Sequence, residues 1–236
     1  LHDDAVVIRV TVRGIDATGM ELEAMTGATL AALNVYDMMK PHEQAVNIEA
    51  VRLLHKRGGK SDWHEQLDPP VRAAVIVLSD TVSAGKKFDR AGVALRERLE
   101  QEESVRFERY HVLPDDPEPL QSLVRELVAD GIDLILTTGG TGLSPRDGTV
   151  EALAPLLERQ LPGMMEVARS YGQRRTRIAM LSRGIAGTIG QTLVITLPGS
   201  TRGAIESYDA LFPAALHAFH AMRHMPHKHE EDRSVR

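Results

Sequence analysis

The sequence predicts an α/β protein with a three-layer domain built on a mostly parallel sheet, preceded by a smaller α+β unit. After about residue 70, near-continuous apolar runs typical of strands buried on both faces alternate with segments of helical periodicity. Strands that alternate with helices favour a parallel sheet covered by helices. The chain of 236 residues also exceeds the size of one typical domain, which indicates a second unit.

The first unit is predicted to contain a strand and a long helix. Residues 5–14, AVVIRVTVRG, alternate apolar and polar side chains as a half-buried strand does. Residues 19–40 combine good helix formers with spaced apolar side chains, namely Leu22, Met25, Leu30, Leu33 and Val35. Residues 57–70 are rich in glycine, proline and charge and indicate a connecting segment. We place the first unit at residues 1–66 and the linker at residues 67–71.

The second unit, residues 72–225, is predicted to alternate strands with helices. Asp116 and Pro117 are expected to open one helix as its N-cap and first-turn proline, and Gly131 to close it. The predicted strands span residues 72–79, 106–113, 133–139 and 191–199. The other predicted helices span residues 91–103, about 150–159, about 163–173 and 201–223. Residues 226–236 are expected to form a disordered tail.

Composition excludes several classes of protein and of site. Hydrophobic residues make up 42% and charged residues 26% of the chain, as in a soluble globular protein. The net charge of −5 gives no general attraction to nucleic acid or to anionic membranes. The chain has no cysteine, which excludes disulfides, thiolate metal sites and a cysteine nucleophile. No apolar stretch is long enough to span a bilayer and the first residues do not resemble a signal peptide, so we expect a cytoplasmic protein.

Polar and glycine-rich segments follow each predicted strand of the second unit. These segments are SDT at 79–81, PDD at 114–116, TTGGTG at 137–142 and LPGST at 197–201. In parallel α/β sheets, ligands bind outside the carboxyl ends of the strands. We therefore expect the four segments to gather along one edge of the sheet and to form the binding site.

The segment TTGGTGLSPRDGT, residues 137–149, is suited to hold a phosphate group. Its glycines let backbone amides approach an anion, but it lacks the lysine of a Walker loop. Its side-chain donors are Thr138, Thr141, Ser144 and the charged Arg146. Asp147 would repel a bare phosphate, which suggests a bridging Mg²⁺ ion. A second interpretation stays open, in which the glycines form only a tight turn and Asp147 caps the next helix.

Five spaced motifs occur in order over about residues 72–222, namely VLSDT, PDD, TTGGTGLSPRDGTVEA, LSRGIAG and LPGSTRGA. Together they resemble the molybdopterin adenylyltransferase family, which includes related bacterial molybdenum cofactor proteins and a domain of gephyrin. The resemblance implies binding of molybdopterin and Mg-ATP and transfer of AMP to the terminal phosphate of molybdopterin. It also implies Asp115 and Asp147 as the catalytic aspartates. The ligand-lining residues that it implies are Ser79, Asp80, Gly139, Gly140, Thr141, Gly142, Ser182, Pro198, Gly199 and Ser200.

The first unit has a resemblance of its own, carried by GMELEAM, NVYDMMK and VRLLHKRGGKS. These motifs resemble the carboxyl-terminal half of cyclic pyranopterin monophosphate synthase, a lyase that acts before molybdopterin assembly. The resemblance implies Asp37 and Lys40 as an acid–base pair on one helix face, with binding roles for Lys60, Glu21 and Glu23. GGKSD replaces the usual GGKSG, and the family's amino-terminal half is absent, so we expect an incomplete synthase unit. Without the resemblance, Asp37 and Lys40 would be a surface ion pair.

A group of histidines and a basic run are interpreted as structural features and not as functional sites. His217, His220 and His224 lie on the last predicted helix, where His220 and His224 have the spacing of a metal pair. Because no carboxylate motif such as HExxH accompanies them, we interpret them as a polar helix face. The basic run at residues 174–177 is interpreted as a solvated loop.

The function that the two resemblances imply is that of an enzyme of molybdenum cofactor biosynthesis. In this interpretation Asp115 and Asp147 hold Mg²⁺ on the phosphates of ATP, while the amides of the glycine turn neutralise the transferring group. The expected partners are molybdopterin, ATP and further copies of the chain, in a trimer or a larger homo-oligomer. A non-catalytic molybdopterin carrier or scaffold is the alternative that the same loops allow.

Overall fold

The computed structural model describes residues 5–13, 19–41, 46–56 and 65–223. The chain forms two compact units, residues 1–64 and residues 65–236. Leu67 is buried in the core of the second unit, and the first strand of that unit begins at Val71. The segment that we assigned to a linker, residues 67–71, therefore packs as part of the second unit.

The first unit contains the predicted long helix, α1 (Glu21–Met39). No side chain of α1 is buried, and its apolar residues Leu22 and Leu30 are 77% and 63% exposed. The predicted strand at residues 5–14 was wrong for residues 6–13, which have no regular secondary structure. Apolar alternation favours a strand only where a neighbouring strand supplies the hydrogen bonds, and the sequence pattern does not contain that information.

The second unit alternates strands with helices over most of its length, as predicted, but two of its strands, Arg159–Gln160 and Ala186–Ile189, were not predicted. Its strands are β1 (Val71–Leu78), β2 (Val105–Leu113), β3 (Leu134–Thr138), β4 (Arg159–Gln160), β5 (Ala186–Ile189) and β6 (Thr192–Leu197). Its helices are α2 (Asp80–Ser83), α3 (Ala91–Leu99), α4 (Pro117–Ala129), α5 (Thr149–Leu153), α6 (Pro162–Gln173), α7 (Thr201–Leu211) and α8 (Ala218–Met222). Among the described residues, no helix is both long enough and apolar enough to cross a lipid bilayer.

The six strands form one sheet in the order β2-β1-β3-β6-β5-β4. The first four of these strands run parallel, and only β5 and β4 are antiparallel to their neighbours, which confirms the predicted α/β fold. The chain passes from β1 to β2 on one side and then returns to place β3 on the other side of β1. The order of the strands therefore reverses between β1 and β3, the position where α/β sheets bind ligands.

Helices cover both faces of the sheet because alternate side chains of the central strands point to opposite sides. On one face Val75 and Leu136 pack against α3, α6 and α7. On the other face Ile76 and Ile135 pack against α4 and α5. The result is the three-layer arrangement that the near-continuous apolar runs predicted.

Local sequence signals set several element boundaries. Asp116 caps α4, since its side chain accepts a hydrogen bond from the amide of Glu118 at 3.2 Å. Gly131 follows this helix with a φ of 75°, a conformation that favours glycine. The single helix predicted over residues 201–223 was wrong, because α7 ends at Leu211 and the chain resumes as a 3₁₀ turn (Ala214–His217) and α8. Pro213 lies at the break, where its missing N–H and its ring prevent a continuous helix.

Candidate functional site

The loops that follow β1, β2, β3 and β6 meet at the carboxyl edge of the sheet. Thr138 Oγ1 donates to the carbonyl of Pro198 at 2.7 Å, which joins the loops after β3 and β6. The amide of Ser79 donates to the carbonyl of Leu113 at 2.9 Å, which joins the loop after β1 to the end of β2. The structure thus brings together the four segments that the sequence placed at strand ends.

Asp80 and Asp115 form two reciprocal hydrogen bonds, each from the amide of one residue to the carboxylate of the other. Asp115 N donates to Asp80 Oδ1 at 3.1 Å, and Asp80 N donates to Asp115 Oδ2 at 3.2 Å. The other oxygen of Asp80, Oδ2, accepts from Arg146 Nη1 at 3.0 Å. Arg146 therefore connects the loop after β3 to the loop after β1. Its guanidinium group forms an ion pair with the carboxylate of Asp80.

The carboxyl group of Asp115 lies half-buried in an acidic environment. Burial raises the pKa of Asp115 above its ordinary value, and the negative charges of Asp80 and Asp147 raise it further. The hydrogen bond from Asp80 N and the charge of Arg146 act in the opposite direction. Asp80 and Asp147 are therefore each close enough to repel the charge of Asp115, an electrostatic setting that a divalent cation relieves.

The glycine turn requires glycine at its first two positions. Gly139 has a φ of 108°, and a β-carbon there would lie 2.1 Å from the carbonyl oxygen of Leu78. Gly140 has a φ of 62°, and a β-carbon there would lie 2.1 Å from Thr149 Oγ1. The turn is closed by Thr149, whose hydroxyl donates to Gly139 O at 3.0 Å. The two glycines are therefore required for the close packing of the turn against the end of β1 and the beginning of α5.

Asp147 does not cap the helix that follows it. The residue at the N-cap of α5 is Gly148, with no side-chain cap hydrogen bond. Instead Asp147 Oδ2 accepts from the amide of Ser144 at 2.7 Å, within its own loop. The structure therefore excludes the helix-cap alternative and leaves Asp147 half-buried beside the glycine turn, where it influences the pKa of Asp115.

Arg183 supports the glycine turn and was not assigned a role from the sequence. Its Nε donates to Gly142 O at 2.7 Å and its Nη2 donates to Asp147 O at 2.6 Å. Its Nη1 forms an ion pair with Glu151, which lowers the pKa of that carboxyl group. The residue lies inside the motif LSRGIAG, which offered a signal, but a motif does not reveal which carbonyls a side chain reaches.

The remaining predicted binding residues of the second unit lie around the turn. Thr141 is buried, and its carbonyl accepts from the amide of Arg183 at 3.0 Å. Ser182 is half-buried just before Arg183. A β-carbon on Gly199 would lie 3.1 Å from Gly139 Cα, so the loop after β6 passes directly over the turn. Ser200 caps α7, since its Oγ accepts from Gly203 N at 3.2 Å.

Ser79 completes the edge at the end of β1. Its Oγ lies 3.2 Å from Thr81 Oγ1. As the N-cap of α2, the same oxygen accepts a hydrogen bond from the amide of Val82 at 3.4 Å.

A small cavity opens beside Asp115 at the same edge of the sheet. The residues that line it are Leu78, Asp115, Asp116, Pro117, Leu120, Gly148 and Thr149.

Four of the five predicted residues of the first unit lie in α1 or at its end. Asp37 and Lys40 form a hydrogen-bonded ion pair on one helix face, which raises the pKa of Lys40, and both side chains are more than half exposed. Glu21 pairs with Lys56 at 2.6 Å, and the hydrogen bond from Lys56 lowers the pKa of Glu21. Glu23 is exposed in the first turn of α1, and Lys60 lies outside the described residues.

Comparisons with known proteins match both units. Residues 74–218 match the family described as a probable molybdopterin binding domain, and residues 1–59 match the MoaC family. The chain is 42% identical over 219 residues to the molybdenum cofactor biosynthesis bifunctional protein of Chlorobaculum tepidum, covering 93% of this chain and 69% of that protein. It is 34% identical to the protein of the same description from Synechococcus elongatus, covering 95% of this chain and 74% of that protein.

A solved structure is similar to the second unit. The molybdopterin biosynthesis enzyme MoaB from Thermus thermophilus shares 41% identity with this chain and aligns with a TM-score of 0.62. The alignment covers 66% of this chain and 98% of that protein.

Proposed function

Because the chain belongs to the family of molybdopterin-binding proteins of molybdenum cofactor biosynthesis, we propose that its second unit transfers AMP from Mg-ATP to molybdopterin. One observation carries this proposal. Three carboxylates, those of Asp80, Asp115 and Asp147, meet an amide-rich glycine turn where the strand order reverses. Such a pairing of acidic side chains with anion-binding amides suits a phosphate group together with its cation.

The donor set fits Mg²⁺. The ion prefers carboxylate and phosphate oxygens. Burial and, to a smaller extent, the charges of Asp80 and Asp147 raise the pKa of Asp115, and a cation beside these carboxylates would offset both effects. Asp115 and Asp147 would hold the ion. When bound, it would supply positive charge against the phosphate oxygens of the nucleotide.

The chain's own groups would position the reacting phosphates. The amides that follow Gly139 in the turn would face the anion, because the amide of Gly139 itself donates to the carbonyl of Leu197 at 3.2 Å. Arg146, which is 79% exposed and pairs with Asp80, can turn from that carboxylate to a phosphate. An oxygen of the terminal phosphate of molybdopterin attacks the α-phosphorus of ATP, and the bond to the β-phosphate breaks as pyrophosphate leaves. The site acts through orientation and charge.

The first unit carries a separate part of the proposal. Its match to the MoaC family covers residues 1–59. We assign acid–base chemistry in pyranopterin formation to Asp37 and Lys40, whose hydrogen bond allows a proton to pass between them. Glu21, Glu23 and Lys60 are assigned to substrate binding in the same unit.

A carrier that binds molybdopterin without adenylylating it is the second candidate. One observation favours it: the loop satisfies its charges internally, with Asp80 paired to Arg146 and Asp147 bound to the amide of Ser144. A carrier has no need of a metal at Asp115 and Asp147. The two candidates therefore differ in whether binding of ATP depends on Mg²⁺ and on Asp147.

The deciding experiment is mass spectrometry of the pterin after incubation of the purified chain with molybdopterin and Mg-ATP. The proposal expects adenylylated molybdopterin and pyrophosphate in equal amounts, and neither when Mg²⁺ is removed by a chelator. Molybdopterin that binds but returns unmodified would establish the carrier instead. A parallel measurement of Mg-ATP affinity in the wild type and in Asp147→Ala separates loss of binding from loss of transfer.

A further inference from the structure

A buried carboxylate and two histidines meet at the edge of the sheet opposite the glycine turn. Glu65 Oε1 lies 2.9 Å from His217 Nδ1, and Glu65 Oε2 lies 2.7 Å from His220 Nε2. The side chains of Glu65 and His220 are only 7% and 8% exposed. His217 is 41% exposed and connects the cluster to solvent.

The fold fixes the position of Glu65. Its carbonyl accepts from Ser104 Oγ, which in turn accepts from the amide of Leu67 at 3.0 Å. Ser104 immediately precedes β2, so Glu65 lies where the parallel strands begin. The proposed nucleotide site lies where they end, which makes the two places independent.

The two histidines are brought to the carboxylate by the break in the last helix. His217 ends the 3₁₀ turn and His220 lies in α8, three residues later, so both rings face the same side. Their centroids are 5.4 Å apart. The polar helix face expected for these histidines was wrong for His220, since its ring is buried against Glu65. His224 lies outside the described residues.

We propose that Glu65, His217 and His220 form a binding site for a divalent transition-metal ion, with Zn²⁺ as the preferred ion. Two imidazoles and one carboxylate are a frequent ligand set for Zn²⁺, which takes nitrogen and oxygen ligands at about 2.0–2.2 Å. The three candidate ligand atoms all lie within 4.8 Å of one another, so one ion can reach them all with small side-chain movements. The exposed side of His217 leaves room for water as a fourth ligand.

The three groups can exchange their mutual hydrogen bonds for bonds to a cation. Each neutral imidazole can carry its proton on the nitrogen that faces away from Glu65, which leaves a lone pair for the ion. The nearby cation Arg223 is engaged elsewhere, with Asp133 at 3.2 Å and with the carbonyl of Pro69. Within the described part of the chain, the buried carboxylate of Glu65 pairs with the two imidazoles and with no arginine or lysine.

The site would tie the beginning of the second unit to its last helix. Glu65 is the first residue of that unit, and His217 and His220 follow the break after α7. An ion bound by the folded chain and not by the unfolded chain stabilises the fold by mass action. This role does not depend on the proposed adenylyl transfer, because it involves the opposite edge of the sheet.

The test measures metal binding directly, without molybdopterin or ATP. The full chain is prepared without an affinity tag, with the remaining histidines of the carboxyl terminus replaced (His224→Gln, His227→Gln, His229→Gln) so that they cannot bind the ion. The protein is treated with a chelator and titrated with Co²⁺ and Zn²⁺ in excess Mg²⁺, which occupies oxygen-only sites. We expect one Co²⁺ per chain with visible absorption bands, displacement by Zn²⁺, and a rise in melting temperature of roughly 5–10 °C when Zn²⁺ is about 100-fold above its Kd.

Variants decide whether the three named residues are the ligands. His217→Gln changes a half-exposed side chain and should fold normally, yet it should weaken Zn²⁺ binding roughly 100-fold or more, and Glu65→Gln should do the same. His55→Gln, at an exposed histidine of the first unit, is the matched control and should bind as the parent does. The proposal is overturned if the parent chain binds no stoichiometric Co²⁺ or Zn²⁺, or if His217→Gln binds them unchanged.

Discussion

Asp80 and Asp115 hold each other in place through a reciprocal pair of hydrogen bonds, each from the amide of one residue to the carboxylate of the other, at 3.1 and 3.2 Å. The two residues follow neighbouring parallel strands, so this pairing clamps two loops at the same edge of the sheet. It also fixes two carboxylates beside the glycine turn before any ligand binds. In the proposed Mg²⁺ site, Asp115 would therefore be preorganised as a ligand and Asp80 would support it.

Replacing Asp147 should separate chemistry from binding. Asp147→Asn keeps an oxygen that can accept from the amide of Ser144, but it removes the charge that would hold Mg²⁺. We expect adenylyl transfer to fall about 100- to 1000-fold, with molybdopterin affinity and melting temperature close to those of the wild type. Turnover, pterin titration and thermal unfolding of one preparation provide the check. Near-normal turnover would remove Asp147 from the metal site.

The carboxyl group of Asp115 should make stability depend on pH. Because its pKa is raised in the fold, the folded chain holds this proton more tightly than the unfolded chain does. Its contribution is therefore favourable at acid pH and is lost as the pH rises through the raised pKa. Asp115→Asn should accordingly be more stable than the wild type at neutral pH, with a difference that shrinks on acidification, and it should lose Mg²⁺-dependent turnover.

Thermal unfolding between pH 4 and pH 8 measures this effect, and Asp116→Asn is the matched control. Asp116 is the N-cap of α4, where asparagine is an equally good cap, so its replacement should change neither stability nor turnover. A difference between Asp115→Asn and the wild type that is constant over the whole pH range would contradict the assignment.

The first glycine of the turn should tolerate no side chain. In Gly139→Ala the new β-carbon meets the backbone carbonyl of Leu78 at a φ of 108°, so neither the neighbour nor the residue can relax cheaply. We expect a loss of about 2 kcal/mol or more in the free energy of unfolding, together with weaker nucleotide binding. Gly163→Ala, in α6 with open space around it, should be neutral or slightly stabilising in the same chemical denaturation experiment.

Arg183 should act on the reaction by holding the turn and not by touching the substrate. Arg183→Ala removes the donors to Gly142 O and Asp147 O, so we expect turnover to fall about 10- to 100-fold through misplacement of the loop. Glu151→Gln removes only the exposed ion pair with Arg183 and should change turnover by no more than a few-fold. If both variants have the same turnover, the contacts with the two carbonyls carry no function.

The family resemblance predicts a homo-oligomer, and an exposed apolar segment of the second unit is a candidate surface for it. Ile178, Met180 and Leu181 are 68%, 66% and 48% exposed in one short segment of the second unit, an arrangement typical of an interface. Light scattering at micromolar concentration should give about three times the chain mass of 25.9 kDa, or a larger multiple. Met180→Glu should lower the mass without lowering the helix content. A wild-type protein with the mass of one chain would contradict the prediction.

The sequence by itself determined the α/β class of the second unit, four of its six strands and the edge where the candidate site lies. Apolar runs such as that of β1 identify strands buried on both faces, and the alternation with helices makes them parallel. Parallel strands all end at one edge of the sheet. Because Asp80, Asp115, Gly139 and Ser200 each follow the end of a parallel strand, the sequence places all four at that edge. Both conclusions depend on local periodicity and on a general rule of topology, and both can be drawn without coordinates.

Only the tertiary structure decided which atoms meet. The mutual bonds of Asp80 and Asp115, the reach of Arg183 to two carbonyls and the meeting of Glu65 with His217 join residues 35, 36, 41 and 152 positions apart. No periodicity relates residues at such separations, because the packing of the helices on the sheet sets their distance. The same reason explains why the strand predicted at residues 6–13 was wrong. A strand needs hydrogen bonds from a neighbouring strand, and the sequence of one segment does not show whether such a neighbour is present.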